Sequence, residues 1–508
     1  RVVEAPRRPL LVVAGAGSGK TETMSMRVLW LLANHPDLTP ASILGLTFTR
    51  KAAGELGDRL RERIRLLARQ MPQMRERLDE DPVALTYNSF AERIVSEHGM
   101  RIGIDPDFSM LSEAGALDLM TQIVEAWPTD LDEELRPIDA VPQVLHLAGE
   151  LAEHGFTVER AREALEELGR ELSQVGDTNE EARKLLRANR RRLAFLGPIA
   201  TYQQRKREMG VLDFSDQLVL ATRIVREAPA VRAALREEFR AVLLDEFQDT
   251  SVIQMELLST LFGDHAVTAV GDPNQAIYGW RGASASSLET FLDRFQTGAP
   301  EAGQTLTLST AWRNDVSILD AANRVAAPLR EVASYQQGKD ALKAQSPVLV
   351  PRKGAGQGTV EIAYTQVYED ALAATVDFVK RVRSQATKDG KRRTVAVLSR
   401  RRKDFPFIDA ALREAGIPTE IVGLGGLLDQ PAVQDVRAAL ELAYDVAASP
   451  WLARLLAGID LGATDLIALG DRARALAREE GASPHQAVLL DAVDNPPNPG
   501  WAVEGRPA

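Results

Sequence analysis

The sequence predicts an α/β chain, and three patterns predict it. Short apolar runs, each followed by a Gly- or Thr-rich turn and then a helical stretch, recur through the first hundred residues and again after residue 207. That alternation is the signature of a parallel sheet wrapped by helices. Between the third and fourth runs lies a long segment of unbroken helical periodicity, and a second set of strand-like runs opens near residue 305.

Taken in order, LLVVA (10–14) leads into AGAGSGKTETM, ILGLT (43–47) into TFTRKAAGEL, and VALT (83–86) into TYNSF. The helical stretch follows, with ALDLMTQIVEAW and RAREALEELGRELSQV as its clearest amphipathic segments. It reads as a helical domain inserted into the first α/β domain. AVLL (241–244) and AVTAV (266–270) resume the sheet. TLTLS, TVEIAY, TVAVLS and TEIVGL are the expected strands of a second sheet, with ALAATVDFVKRV as a helix between them. KGAGQG (353–358) is a turn rather than a phosphate loop, because no helix start follows it. After Leu442 the pattern is helical again. The expected organisation is a first α/β domain at 1–98 and 207–300 with a helical insertion at 99–206. An incomplete second α/β domain follows at 301–442, and the start of a helical subdomain at 443–508.

Composition sets limits on function. There is no cysteine, which removes disulfides and thiolate metal sites and fits a reducing cytoplasm. No apolar stretch approaches the roughly 18 residues needed to span a bilayer, so no membrane association is expected. The net charge of −11 argues against a basic coat for nucleic acid, but phosphate contacts depend on where charge sits. The basic segments EARKLLRANRRRLAFLGPIATYQQRKREMG and VKRVRSQATKDGKRRTVAVLSRRRKD read either as solvated faces or as DNA contacts. The opening just before the first motif and the ending DNPPNPGWAVEGRPA suggest a fragment.

The strongest local signal is LLVVAGAGSGKTETM. Its glycines let backbone N–H groups curl around phosphate oxygens at a helix N-terminus. Lys20 offers a cation to the β/γ-phosphates, and the Thr21 hydroxyl can ligate Mg²⁺. Ala14 stands where the phosphate-loop pattern has its first glycine, leaving Gly15 and Gly17 to supply the turn. AVLLDEFQDTS (241–251) is the partner motif: Asp245 and Glu246 end a buried strand, where open α/β sheets bind ligands. One carboxylate there can hold the metal and the other can deprotonate water, although adjacent acids at a helix start also serve as caps.

Lys20-Thr21, DEFQD (245–249) and GDPNQAIYGWRGA (271–283) resemble the UvrD/Rep-type superfamily 1 DNA helicases. TFTRKAAGEL (47–56), TYNSF (86–90) and LSTAWRN (308–314) extend the likeness in the family's order, and GIPTEIVGLGGLLDQPAVQDV (416–436) carries it further. Within the family, GWRGAS, SMRVLWLLAN and LGLTFTRKAAG are most similar to the actinobacterial helicase-nuclease subunits that resect double-strand breaks. The resemblance implies two RecA-like parallel-sheet motor domains, the second incomplete here, and an ATP-driven motor moving 3′-to-5′ on single-stranded DNA. It implies that Ala16, Gly17, Ser18, Gly19, Lys20, Thr21 and Glu22 surround ATP and that Thr21 and Asp245 hold Mg²⁺. By the same resemblance Glu246 is the general base, Gln275 and Arg313 reach the γ-phosphate, and Trp312 replaces the tyrosine that stacks on adenine. Phe48 and Trp280 would stack on single-stranded bases, with Thr47, Arg50, Asn88, Tyr278 and Arg281 beside them. For Phe48 and Trp280 the alternative is a role as core anchors. Asn88 stands where the family often has histidine, so no catalytic role is carried onto it. Tyr202 through DFSDQ (213–217) is similar to the family's return from the insertion, or simply caps a helix.

Partners implied by the resemblance are single-stranded DNA, duplex ends and a paralogous helicase-nuclease subunit in a heterodimer. The family's last two motor segments, including a second arginine, do not follow Arg313, and no nuclease-type cluster is visible. Arginine fingers contribute about 10³–10⁵ in rate, so weak hydrolysis is expected of this chain. Two other functions remain open. One is a non-catalytic DNA-binding half-motor. The other is a phosphate-loop NTPase with a non-nucleic-acid partner, which the aromatic motifs at 47–51 and 278–281 disfavour.

Overall fold

A computed structural model describes residues 1–508 apart from 106–107, 133–134, 175–179, 280–281, 284–286, 297–302, 336–344, 386–389, 391, 423–430, 460, 480, 482–486 and 497–508. It contains two compact units, Arg1–Val360 and Glu361–Ala508.

The first unit opens with β1 (Leu10–Ala14), α1 (Lys20–Asn34), β2 (Ile43–Thr47), α2 (Arg50–Gln70), β3 (Val83–Thr86) and α3 (Tyr87–His98). A two-residue strand, β4 (Ser109–Met110), precedes the helical insertion of α4 (Glu113–Glu125), α5 (Pro137–Glu153), α6 (Val158–Gln174) and α7 (Glu180–Met209). The chain returns through β5 (Val211–Leu212), α8 (Phe214–Glu227) and α9 (Pro229–Glu238). It continues with β6 (Ala241–Leu244), α10 (Val252–Phe262), β7 (Val267–Gly271), α11 (Phe291–Phe295) and β8 (Gln304–Leu308). β9 (Thr310–Ala311), α12 (Val316–Tyr335) and β10 (Val350–Pro351) complete it.

Six strands form one parallel sheet in the order β3-β2-β6-β7-β1-β8. The run LLVVA is apolar throughout because both of its faces are covered. Leu11 and Val13 join the cluster that includes Phe90, Leu218 and Leu258, whereas Leu10, Val12 and Ala14 join Met24, Val28 and Leu56 on the other side. The five expected strands of the first sheet all form, the last shifted by one residue to Val267–Gly271. TLTLS departs from expectation. It pairs with β1 in register Leu10↔Gln304 through Ala14↔Leu308, so it completes the first sheet instead of opening a second. Its alternating exposure is that of an edge strand, and the Thr/Leu alternation is the visible cause.

The insertion has its own core, in which Met120, Val144, Leu196 and Ile199 are fully buried. At its root β4 pairs with β5, and Lys206 Nζ lies 2.5 Å from Asp213 Oδ2 and 2.7 Å from Asp216 Oδ2. Asp213 also caps α8, accepting from the Ser215 and Asp216 amides. Thus DFSDQ caps the helix and binds a buried lysine as well. Elsewhere KGAGQG caps α12: Val316 N–H donates to Gly356 O and Ser317 N–H to Gln357 O.

The second unit contains α13 (Tyr368–Ser384), α14 (Phe405–Glu414), α15 (Pro431–Tyr444), α16 (Ser449–Ala457), α17 (Ala463–Glu479) and α18 (Leu489–Asp494). A small core joins Val379, Leu412 and Ile417. The described residues of TVEIAY, TVAVLS and TEIVGL form no strands, contrary to expectation. Ile362 and Leu398 stay more than nine-tenths exposed. An apolar run becomes a strand only where a neighbour takes its N–H and C=O groups, and the described residues supply none. GLGGLLDQ (423–430) lies outside the described residues.

Candidate functional site

The phosphate loop leaves the carboxyl end of β1 and enters α1 at Lys20. Gly17 (φ 72°) and Gly19 (φ 83°) adopt the left-handed conformation that a side chain would strain. Ala14, at the position of the missing glycine, is still in β1 and fully buried, which explains why a small Cβ is tolerated there. Ser18 Oγ is buried in the loop with no hydrogen-bond partner. Trp312 N–H donates to Gly17 O at 2.8 Å, and a Cβ on Gly17 would stand 3.1 Å from Arg313 Cβ. Trp312 is otherwise exposed, its ring edge near Gly19. The structure therefore brings Lys20, Trp312 and Arg313 to one loop. Glu22 is directed to Arg63, at 2.7 Å.

At the end of β6 the two acids differ in setting. Asp245 is buried, its N–H donating to Leu46 O and its carbonyl accepting from Tyr87 Oη at 3.0 Å. Burial, reinforced by the charge of Glu246, pushes the Asp245 carboxyl up to about 6, with Lys20 opposing. Glu246 is the one non-glycine residue at positive φ among the described residues (φ 48°, ψ 45°). Such backbone costs on the order of 1–3 kcal/mol and persists where surrounding structure enforces it, commonly at functional sites. Its Oε2 lies 2.7 Å from Lys20 Nζ. Asp245 and Thr21 offer the hard oxygens that suit Mg²⁺, and the orphaned Ser18 hydroxyl fits a phosphate or ion neighbour.

Gln275 is held by Asp272: its Nε2 donates to Asp272 Oδ2 at 2.7 Å. Downstream, Tyr278 packs on Phe48 with ring centroids 4.5 Å apart. Phe48, Arg50 and Asn88 line a cavity of about 590 Å³ between the sheet and the insertion, opposite His146 and Glu150 of α5. Phe48 is half-buried, on a cavity wall and outside the sheet's core clusters. Thr47 Oγ1 is buried without a partner, and Asn88 Oδ1 accepts from Gln254. Trp280 and Arg281 lie outside the described residues.

Three further polar residues, to which the motifs alone give no role, sit at the centre of this geometry. Gln248, Asp249 and Asp272 are all buried. Gln248 Nε2 donates to Glu246 Oε2 at 2.9 Å and to Asp249 Oδ2 at 3.2 Å, while its Oε1 accepts from Asp272 N–H at 3.0 Å. Burial and the Glu246 charge push Asp249 up to about 6. The available signal was their polarity directly after an apolar strand.

A glycine loop at a helix start, facing strand-end carboxylates in a parallel sheet, defines the class of phosphate-loop nucleotide-binding proteins. The UvrD/REP helicase N-terminal domain family matches residues 1–296, and the chain belongs to that family. It is 27% identical over 459 residues to DNA helicase II of Escherichia coli (strain K12), covering 87% of this chain and 53% of that protein. It is 28% identical over 324 residues to ATP-dependent DNA helicase PcrA of Leuconostoc citreum, covering 64% and 38% respectively. PcrA of Staphylococcus aureus (strain Mu50 / ATCC 700699) is 26% identical over 453 residues, covering 87% and 52%. The chain spans about half the length of the E. coli and S. aureus relatives. No helix among the described residues is long and apolar enough to cross a membrane.

Proposed function

We infer that the chain is the ATP-binding part of a cytoplasmic DNA helicase or translocase that acts 3′-to-5′ on single-stranded DNA in repair or recombination. The finer reading is an AdnB-type subunit of a break-resection heterodimer, supported by GWRGAS, SMRVLWLLAN and LGLTFTRKAAG. The domain limits expected from the sequence belong to the same proposal, with residues 304–308 moved from the second domain to the first.

One observation carries the reading. A continuous path of hydrogen bonds and ring contact joins Lys20 to Glu246, Gln248, Asp272 and Gln275, and ends three residues later at Tyr278 against Phe48. That path supports a reading in which nucleotide chemistry and an aromatic cleft share one polar core. Lys20, the loop amides and Arg313 would bind the phosphates, with the exposed Trp312 ring against the base. Mg²⁺, held by Thr21 and Asp245, would neutralise phosphate charge. Glu246 would accept a proton from water once Lys20 turns to the phosphates. Phe48 and Tyr278 offer aromatic faces to bases, a contact worth about 1–3 kcal/mol per base and tolerant of sequence.

The test is binding of labelled oligo-dT across salt, with and without a non-hydrolysable ATP analogue and Mg²⁺, with Lys20→Ala as control. A nucleotide-dependent DNA affinity that disappears in Lys20→Ala supports the motor. DNA binding indifferent to nucleotide reduces the chain to a DNA-binding half-motor, and ATP binding without DNA binding favours an NTPase with another partner.

A further inference from the structure

We propose that Gln248 is the positioning residue through which the nucleotide site is read by the DNA cleft. The proposal rests on the motor reading and adds to it a residue that is itself buried. Gln248 is 2% exposed and sits between three parts of the fold. Its Nε2 bridges Glu246 on the nucleotide side and Asp249, which lines the 590 Å³ cleft beside Phe48 and Asn88. Its Oε1 fixes the Asp272 amide, and Asp272 in turn holds Gln275 through Oδ2 and the Asn274 amide through Oδ1.

The fit is close enough to transmit a shift. A Cβ on Gly271 would come 2.7 Å from Gln248 Oε1 and 3.2 Å from its backbone N, so the β7 end packs directly on this amide. The segment it controls is tied back to the cleft, because Ala283 N–H donates to Tyr278 O and Ala283 bridges Ser251, the cap of α10.

Competition for one oxygen supplies the mechanism. Lys20 Nζ and Gln248 Nε2 both donate to Glu246 Oε2, at 2.7 and 2.9 Å. A triphosphate drawing Lys20 away leaves Gln248 as the remaining donor in that pair. The amide then shifts its balance from Asp249 toward Glu246, and Oε1 carries Asp272 and the 272–278 segment with it. The proposed relay thus has two arrangements of this amide, one with Lys20 on Glu246 and one without it.

The test uses the full chain and reads the ratio of oligo-dT dissociation constants with and without the ATP analogue and Mg²⁺. Gln248→Met keeps the shape and removes both polar ends. Its analogue affinity and its nucleotide-free DNA affinity should stay within about threefold of wild type, while the ratio collapses to about one. If wild type shows a ratio well away from one and Gln248→Met retains it within twofold, the relay is wrong and the motor reading stands. If wild type itself shows no ratio, the motor reading fails and the relay with it. Should Gln248→Met not fold, judged by its thermal transition, Gln248→Asn serves instead. One methylene shorter, it cannot span Glu246 and Asp272 together, and the same loss of ratio is expected.

Discussion

Glu246 and Asp245 are neighbours in different surroundings, and the roles proposed for them differ accordingly. Glu246 is held in a left-handed conformation with its carboxylate on Lys20, so Glu246→Gln should leave analogue binding intact. In single-turnover assays whatever hydrolysis wild type shows should fall by about 10²–10⁴, the usual worth of a general base. Retained hydrolysis would remove Glu246 from that role. Asp245 has a folded-state carboxyl raised to about 6. Its protonated form favours the fold below the unfolded value near 4, and that contribution is lost as pH rises through 6. Without divalent cations, Asp245→Asn should therefore be more stable than wild type at pH 7.5, by on the order of 2–3 kcal/mol. The gap should close near pH 4, and Mg²⁺ should narrow it at pH 7.5 by stabilising wild type alone. Paired thermal melts at the two pH values check this, and a gap independent of pH would contradict it.

The elements that carry the site were legible where chain pattern and burial agree. β1, β2 and β6 read as apolar runs because both sheet faces are covered, and α1 was visible from its glycine-lysine start. TLTLS reads as a strand, but the sheet it joins is not legible locally, since strand order is decided by long-range pairing that no local pattern encodes. Gln248 and Lys206 escaped for a related reason: their partners Asp272 and Asp213 are identified only by packing. Element-level predictions follow from the same contacts. Gly17→Ala places a Cβ in left-handed backbone and against Arg313. The strain of roughly 1–2 kcal/mol should appear mainly as weakened analogue binding, measurable by titration. At the root of the insertion, Lys206→Met leaves two half-buried carboxylates without their cation. A loss of about 3–5 kcal/mol is expected in urea unfolding, with partial recovery when Asp213→Asn and Asp216→Asn are added.

At the scale of the whole molecule, the central claim is that one polar core joins a nucleotide loop to an aromatic cleft. The helicase family and the sheet that hosts both features were readable from DEFQD and its companion motifs, because those motifs state chemistry locally. Coupling is a property of the assembled network, and its sharpest test is thermodynamic reciprocity. The measurement is the affinity of the ATP analogue with Mg²⁺, taken with and without saturating oligo-dT. Coupled sites should show an analogue affinity that DNA changes severalfold, by the same factor by which the analogue changes DNA affinity. An analogue affinity unaffected by DNA would mean that the two sites are merely neighbours, and would contradict the central claim.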